Sequence, residues 1–297
     1  MADYRRPGPF AVAVDDGDWH DAGRGRTLRW RCYRPQGADP VPVVARAPLV
    51  ARAPLVIHSH GLGGSRASGA DWLAHWASWG IAALVLQHPG SDADARTSAS
   101  PLALRRLLRA ADAGQLAARQ HDLLFALDRL AAAPPPAIGV SGHSFGAVGA
   151  LRVLGERRGR DDLPADPRLA AAVLFSPSAR GGALPLAERF AGVVRPCLHL
   201  TGSLDSGIGR GDIAAADRCL PFMHMPPPHQ HLLVLDGATH AEFAGDAGAA
   251  ASPRRLLLRA ATAAFWRRHL LADAAAGDWL TDGLPALLAA GDRLLHK

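Results

Sequence analysis

The sequence predicts an α/β fold built on a mostly parallel sheet, with antiparallel strands at its N-terminal end. Three observations carry this expectation. Short apolar runs punctuated by Gly and Pro alternate with helix-period segments from residue 55 to residue 237. The first such unit runs strand, helix, strand, which requires a crossover and hence parallel pairing. No stretch of disordered composition interrupts the alternation, so the 297 residues are expected to form one domain, 1–297.

In chain order, Phe10 to Val14 and Leu28 to Tyr33 are two short strand candidates, with Gly-, Asp- and Arg-rich turn chemistry between them. Leu28-Arg29-Trp30-Arg31-Cys32-Tyr33 alternates apolar and basic residues, the period of a half-exposed antiparallel strand, and Pro35 is expected to end it. Ala45-Arg46-Ala47-Pro48-Leu49-Val50 is repeated at once as Ala51-Arg52-Ala53-Pro54-Leu55-Val56, too short a repeat for a solenoid. The first copy is expected to belong to a mobile surface insertion over 36–53. Pro54-Leu55-Val56-Ile57-His58-Ser59-His60-Gly61 reads as a buried strand running into a loop. Asp71 to Trp79 is a helix with Trp72, His75, Trp76 and Trp79 on one face, stopped by Gly80, and Ile81 to Leu86 is the next buried strand.

Residues 91–114 are polar and arginine-bearing with Pro101 interrupting, and are expected to form a short cap. Gln115 to Ala132 is a helix, and Pro134-Pro135-Pro136 separates it from the strand at Ala137 to Val140. Further strands are expected at 169–177, 196–202 and 231–237, with Pro226-Pro227-Pro228 as a stiff surface spacer. A long amphipathic helix is expected over 253–271, and helical structure through Leu294.

Composition excludes several function classes. Hydrophobic content of 48% with 20% charged residues gives ample core. No apolar run approaches the roughly 18–20 residues of a membrane span. The N-terminus lacks the apolar core of a signal peptide, and Cys32, Cys197 and Cys219 form no paired motif. A cytoplasmic protein with buried thiols is the expectation. The net charge of +6 comes from scattered arginines, the only lysine being Lys297, without interleaved aromatics. That pattern does not support nucleic-acid binding.

The chemistry centres on Gly142-His143-Ser144-Phe145-Gly146, which follows an apolar strand and opens a small-residue helix. In such an elbow the serine is forced into a strained turn with its hydroxyl beyond the sheet edge, and the flanking glycines avoid collision. A serine hydroxyl needs a positioned base, an orienting acid and donors for the oxyanion. Asp205, after the strand end Leu200 to Leu204, is the expected acid, with Asp212 and Asp217 as fallbacks. His240, after Leu235 to Thr239, is the expected base among the chain's 14 histidines. The oxyanion donors are expected to be the N–H groups of Phe145 and of Leu62 in the loop His58 to Gly64. That loop lacks the Lys-Ser or Lys-Thr of a phosphate-binding loop. His224, His229 and His231 cluster without matching acidic or cysteine ligands, so no metal is expected, and no other cofactor. His143, Leu204, Phe243 and Pro89 are expected to wall a substrate pocket.

These segments resemble the α/β-hydrolases of the predicted dienelactone hydrolase and platelet-activating-factor acetylhydrolase group. Ser59-His60-Gly61-Leu62-Gly63, Gly142 to Ala147 and Gly237-Ala238-Thr239-His240 carry the resemblance, which covers nearly the whole chain from Gly8 onward. It implies hydrolysis of carboxylic esters with Ser144 as nucleophile, His240 as base and Leu62 with Phe145 as oxyanion donors. True dienelactone hydrolases carry a cysteine nucleophile where this chain has Ser144, so lactone specificity is not implied. The animal acetylhydrolases take their acid from the preceding strand end, which here reads Phe175-Ser176-Pro177-Ser178 without a carboxylate. Asp205 is therefore preferred. Acyl transfer, thioester or amide hydrolysis on the same triad, and non-catalytic ligand binding, are the alternatives. Oligomeric state is not indicated.

Overall fold

The computed structural model describes residues 2–36, 53–95, 111–159, 162–207, 213–248 and 251–297. Nearly all of the expected 36–53 insertion lies outside these residues, as do 96–110 of the expected cap and the fallback acid Asp212.

Nine strands among the described residues form one sheet. They are β1 (Ala11–Asp21), β2 (Arg26–Gln36), β3 (Leu55–Ser59), β4 (Ala82–Leu86), β5 (Ile138–His143), β6 (Leu169–Phe175), β7 (Cys197–Leu204), β8 (Gln230–Thr239) and β9 (Arg293–His296), in spatial order β1-β2-β4-β3-β5-β6-β7-β8-β9. Strands β4, β3 and β5 through β8 pair in parallel, whereas β1 with β2, β2 with β4 and β8 with β9 are antiparallel. The expected fold class is observed.

Alternation along the central strands assigns the two faces. Val56, Ala83, Val85, Val173 and Phe175 point to the layer that holds α1 (Ala70–Ser78) and, near the C-terminus, the helix Pro253–Leu270. Leu55, Ile57, Leu84, Val140 and Leu174 point to the opposite layer, with α2 (Ala113–Leu130) and α3 (Phe145–Val153). On the first face Trp72 stacks on Phe175 at 5.7 Å between ring centroids, and the indole N–H of Trp76 donates to Thr262 Oγ1 at 2.8 Å. No helix among the described residues is long and apolar enough to cross a membrane.

Four expectations are corrected. The first hairpin is far longer than two short strands, because Asp15, Asp16 and Asp18 are strand residues and not turn residues. Across the ladder Asp16 pairs with Arg31 at 2.7 Å and Asp15 with Arg34 at 2.7 Å, so opposite charges are matched strand to strand. Pro35 sits inside β2 and does not end it; β4 pairs only as far as Tyr33, so no ladder bond is lost there. The helix Pro253–Leu270 is not simply amphipathic, since every residue from Ala260 to Trp266 is buried. Its alanines let it approach the sheet so closely that a Cβ on Gly139 would lie 2.5 Å from the Trp266 ring. Finally, the C-terminus is not wholly helical: Arg293–His296 closes the sheet edge as β9.

Candidate active site

Strand β5 delivers Ser144 at the C-terminal edge of the sheet, where α3 begins. Ser144 has φ 54° and ψ −118°, a left-handed conformation unfavourable for a residue with a side chain, and its N–H is held by Phe175 O at 2.9 Å. The flanking glycines are sterically required. A Cβ on Gly142 would stand 2.4 Å from the Gly146 carbonyl carbon, and one on Gly146 would stand 1.9 Å from Ser59 O. Gly146→Ala is therefore expected to destabilise the protein by at least ~2 kcal/mol, because backbone on both sides must move. Urea denaturation checks this through a lowered midpoint at unchanged slope.

The three residues expected to cooperate meet in space. His240 opens a short 3₁₀ turn directly after β8, and its Nε2 lies 3.0 Å from Ser144 Oγ. Its Nδ1 lies 2.6 Å from Asp205 Oδ1. With the Nδ1 proton facing the carboxylate, Nε2 is free to accept the serine proton. Asp205 follows β7 and is fully buried. The close passage of β7 past β8 that brings it there depends on Gly202, whose Cβ would lie 2.1 Å from Ala238 O. Thr201 Oγ1 donates to Asp205 Oδ2 at 2.8 Å. Burial pushes the Asp205 carboxyl up, but the His240 hydrogen bond and the nearby Arg218 guanidinium outweigh it and hold the pKa below the ordinary carboxylate value. The fallback Asp217 instead accepts from the Ala214 N–H at 2.9 Å, capping its own turn.

The two expected oxyanion donors belong to different elements. Phe145 is the first residue of α3, so its N–H has no preceding helical turn to bond to. In the other loop Gly63 N–H is taken by Ser91 O at 2.9 Å and Gly64 N–H by Gly61 O at 3.1 Å.

No protein-family model matches the sequence, and no curated protein matches it. Solved structures do. A cold-adapted esterase from an Arctic intertidal metagenomic library is similar at 18% identity and TM-score 0.60, over 87% of this chain and 94% of that one. A ferulic acid esterase from Streptomyces cinnamoneus is similar at 20% identity and TM-score 0.62, over 89% of this chain and 91% of that one. The chain has the α/β-hydrolase fold.

On this α/β-hydrolase scaffold the expected pocket walls fare unevenly. His143 lies beside His240 with the ring centroids 4.8 Å apart and the planes tilted by 36°, and burial with that neighbour lowers its pKa to about 3, so it stays neutral. Leu204 is 59% exposed at the end of β7. Phe243 is fully buried in the core, its carbonyl accepting the Trp72 indole N–H at 3.2 Å, and presents no face to a bound molecule. Pro89 lines a separate cleft with Thr27, Arg29, Gln87 and Asp92. His231 lies within β8, while His229 sits 6.3 Å ring to ring from His269.

Two buried arginines had no sequence signal beyond being arginine. Arg218 Nη1 donates to Ser176 O at 2.9 Å, its Nε lies 3.4 Å from Asp205 Oδ1, and its Nη2 is 3.3 Å from His240 Nδ1. It thus ties the ends of β6 and β7 together beside the histidine. Arg119 of α2 occupies the space beneath the Leu62 loop. Beside it runs a second Ser–His–Asp chain: His88 Nε2 is 2.9 Å from Ser59 Oγ, and His88 Nδ1 is 3.0 Å from Asp122 Oδ2. All three side chains are completely buried, and Asp122 also pairs with Arg24 and Arg26 at 2.8 and 2.9 Å. Geometry alone does not make that chain reactive, because no substrate reaches it.

Proposed function

We propose that the protein is a serine hydrolase that cleaves carboxylic esters of short or medium acyl chain through an acyl-enzyme. The continuous hydrogen-bond chain from Ser144 through His240 to the buried Asp205 carries this reading. It lies at the strand ends where α/β sheets gather their chemistry. The two similar structures named above are those of esterases, which supports an ester as the substrate class. The resemblance to the dienelactone hydrolase and acetylhydrolase group supports the same chemistry.

In this mechanism Ser144 Oγ bonds to the ester carbonyl carbon while its proton passes to His240 Nε2. The carbonyl oxygen becomes an oxyanion held by the Leu62 and Phe145 N–H groups. As the intermediate collapses, the carbon–oxygen bond to the alcohol breaks and His240 returns the proton to the leaving oxygen. Water then repeats the sequence on the acyl-enzyme, with His240 as base, and releases the acid. The Asp205 carboxylate orients His240 and balances the imidazolium charge that forms twice per turnover.

A series of aryl esters differing in acyl length tests the proposal. Turnover is expected to be highest for short and medium chains and to fall for long ones. Including alcohol and amine acceptors separates hydrolysis from acyl transfer. No turnover of any aryl ester by the folded protein would remove the esterase reading.

A further inference from the structure

We propose that Arg119 is the positioning residue of the oxyanion hole, acting on both donor segments at once; the inference rests on the hydrolase reading above. Its guanidinium is fully buried and, among the described residues, makes no direct ion pair with a carboxylate, Asp122 and Asp92 acting on it only through space. Its donors go to neutral oxygens of the loops around the site. Nε donates to Ser91 Oγ at 2.9 Å, and Nη1 to His60 O at 2.5 Å and Ser59 Oγ at 3.3 Å. Nη2 donates to Ser91 O at 3.2 Å and Gly61 O at 3.4 Å. Burying a guanidinium without a paired carboxylate is expensive, and burial accordingly pulls its pKa down to about 9. A core built for stability alone would place an apolar side chain here.

The geometry of one peptide unit gives that expense a purpose. The Gly61 carbonyl and the Leu62 N–H belong to the same planar trans peptide, so they point in opposite directions. Fixing the carbonyl toward Arg119 fixes the N–H toward the other side of the loop. His60 reinforces the same carbonyl. The backbone N–H of His88 donates to His60 Nε2 at 3.1 Å, so Nε2 is the acceptor and the ring proton is on Nδ1, which donates to Gly61 O at 2.6 Å. The Ser91 carbonyl that accepts from Arg119 also accepts the Gly63 N–H, closing the loop on the far side. The second donor segment is reached through the guanidinium face, which packs 4.7 Å from the centroid of the Phe145 ring.

A donor displaced by about 1 Å forfeits much of its effect on the developing oxyanion, on the order of a hundredfold in rate. Arg119→Met, which keeps much of the buried volume and removes the fork, is expected to lower kcat for an aryl ester about 100-fold with KM within about threefold. Inhibition by a trifluoromethyl ketone, whose hemiketal oxyanion occupies the hole, is expected to weaken in step with kcat/KM. A residue that only supports the fold would not separate the ketone from the ground-state ester. Arg119→Lys keeps a buried cation without the fork and is expected to lose most of the same activity; it supplies the same readings if Arg119→Met does not fold. A folded Arg119 variant with wild-type kcat and ketone affinity overturns the inference while the esterase reading stands. A wild-type protein that neither turns over esters nor binds the ketone overturns both.

Discussion

Replacing Ser144 by alanine is expected to lower kcat for an aryl ester by about a millionfold while leaving the protein folded. The two halves of the expectation come from different parts of the structure. Alanine keeps the Cβ, so the backbone strain at φ 54° is unchanged, and only the 3.0 Å hydrogen bond to His240 is lost. That bond is worth about 1 kcal/mol, which the fold tolerates. The chemical consequence is far larger, because the atom that would bond to the acyl carbon is gone and no other hydroxyl among the described residues is hydrogen-bonded to His240. Steady-state kinetics on protein free of wild-type contamination, with a thermal midpoint measured alongside, check both halves.

Asp205→Asn is expected to lower kcat about ten-thousandfold. The amide has two possible placements. With its nitrogen toward His240 it forces the ring proton onto Nε2, and the base can no longer accept from Ser144. With its oxygen toward His240 the tautomer survives, since the Thr201 hydroxyl can turn to accept from the amide. The imidazolium then forms without a counter-charge and beside the Arg218 guanidinium, 3.3 Å away. Either placement removes the electrostatic partner of the base. Asp217→Asn serves as the control, with activity expected within about twofold of wild type because that carboxylate caps a turn. Asp205→Asn activity within tenfold of wild type would show that the acid is elsewhere.

The sequence made the parallel sheet and the elbow legible for physical reasons. Parallel strands such as Leu55–Ser59 and Ala82–Leu86 are buried on both faces and largely apolar, and the glycines around Ser144 are demanded by contacts under 2.5 Å. Asp205 and His240 were readable because they follow strands whose ends converge. The hairpin was misjudged because Asp15-Asp16-Gly17-Asp18 has turn composition, and only the facing arginines of β2 make it strand. Strand β9 has four residues and no alternation long enough to register.

The buried arginines were the largest omission. As scattered basic residues they suggested nothing more than composition. Arg119 and Arg218 instead sit fully buried against the loops that carry Leu62 and Asp205, and Arg189 is buried against Glu156 at 2.5 Å. Nothing local distinguishes such residues from surface arginines, since their partners are mostly backbone carbonyls brought together by the fold. One expected pocket wall, Phe243, was misjudged because its surroundings are also set by the fold. Phe243 follows His240 closely in sequence, yet its ring is drawn into the apolar layer around Trp72.

Ester cleavage by this protein would depend on one atom, the Ser144 hydroxyl oxygen, and a fluorophosphonate probe followed by peptide mapping reads it directly. The expected result is one phosphonyl adduct, on Ser144, formed by the folded protein and abolished in Ser144→Ala. An adduct on Ser59, whose own histidine and aspartate partners are buried, or no adduct on folded protein, would contradict it.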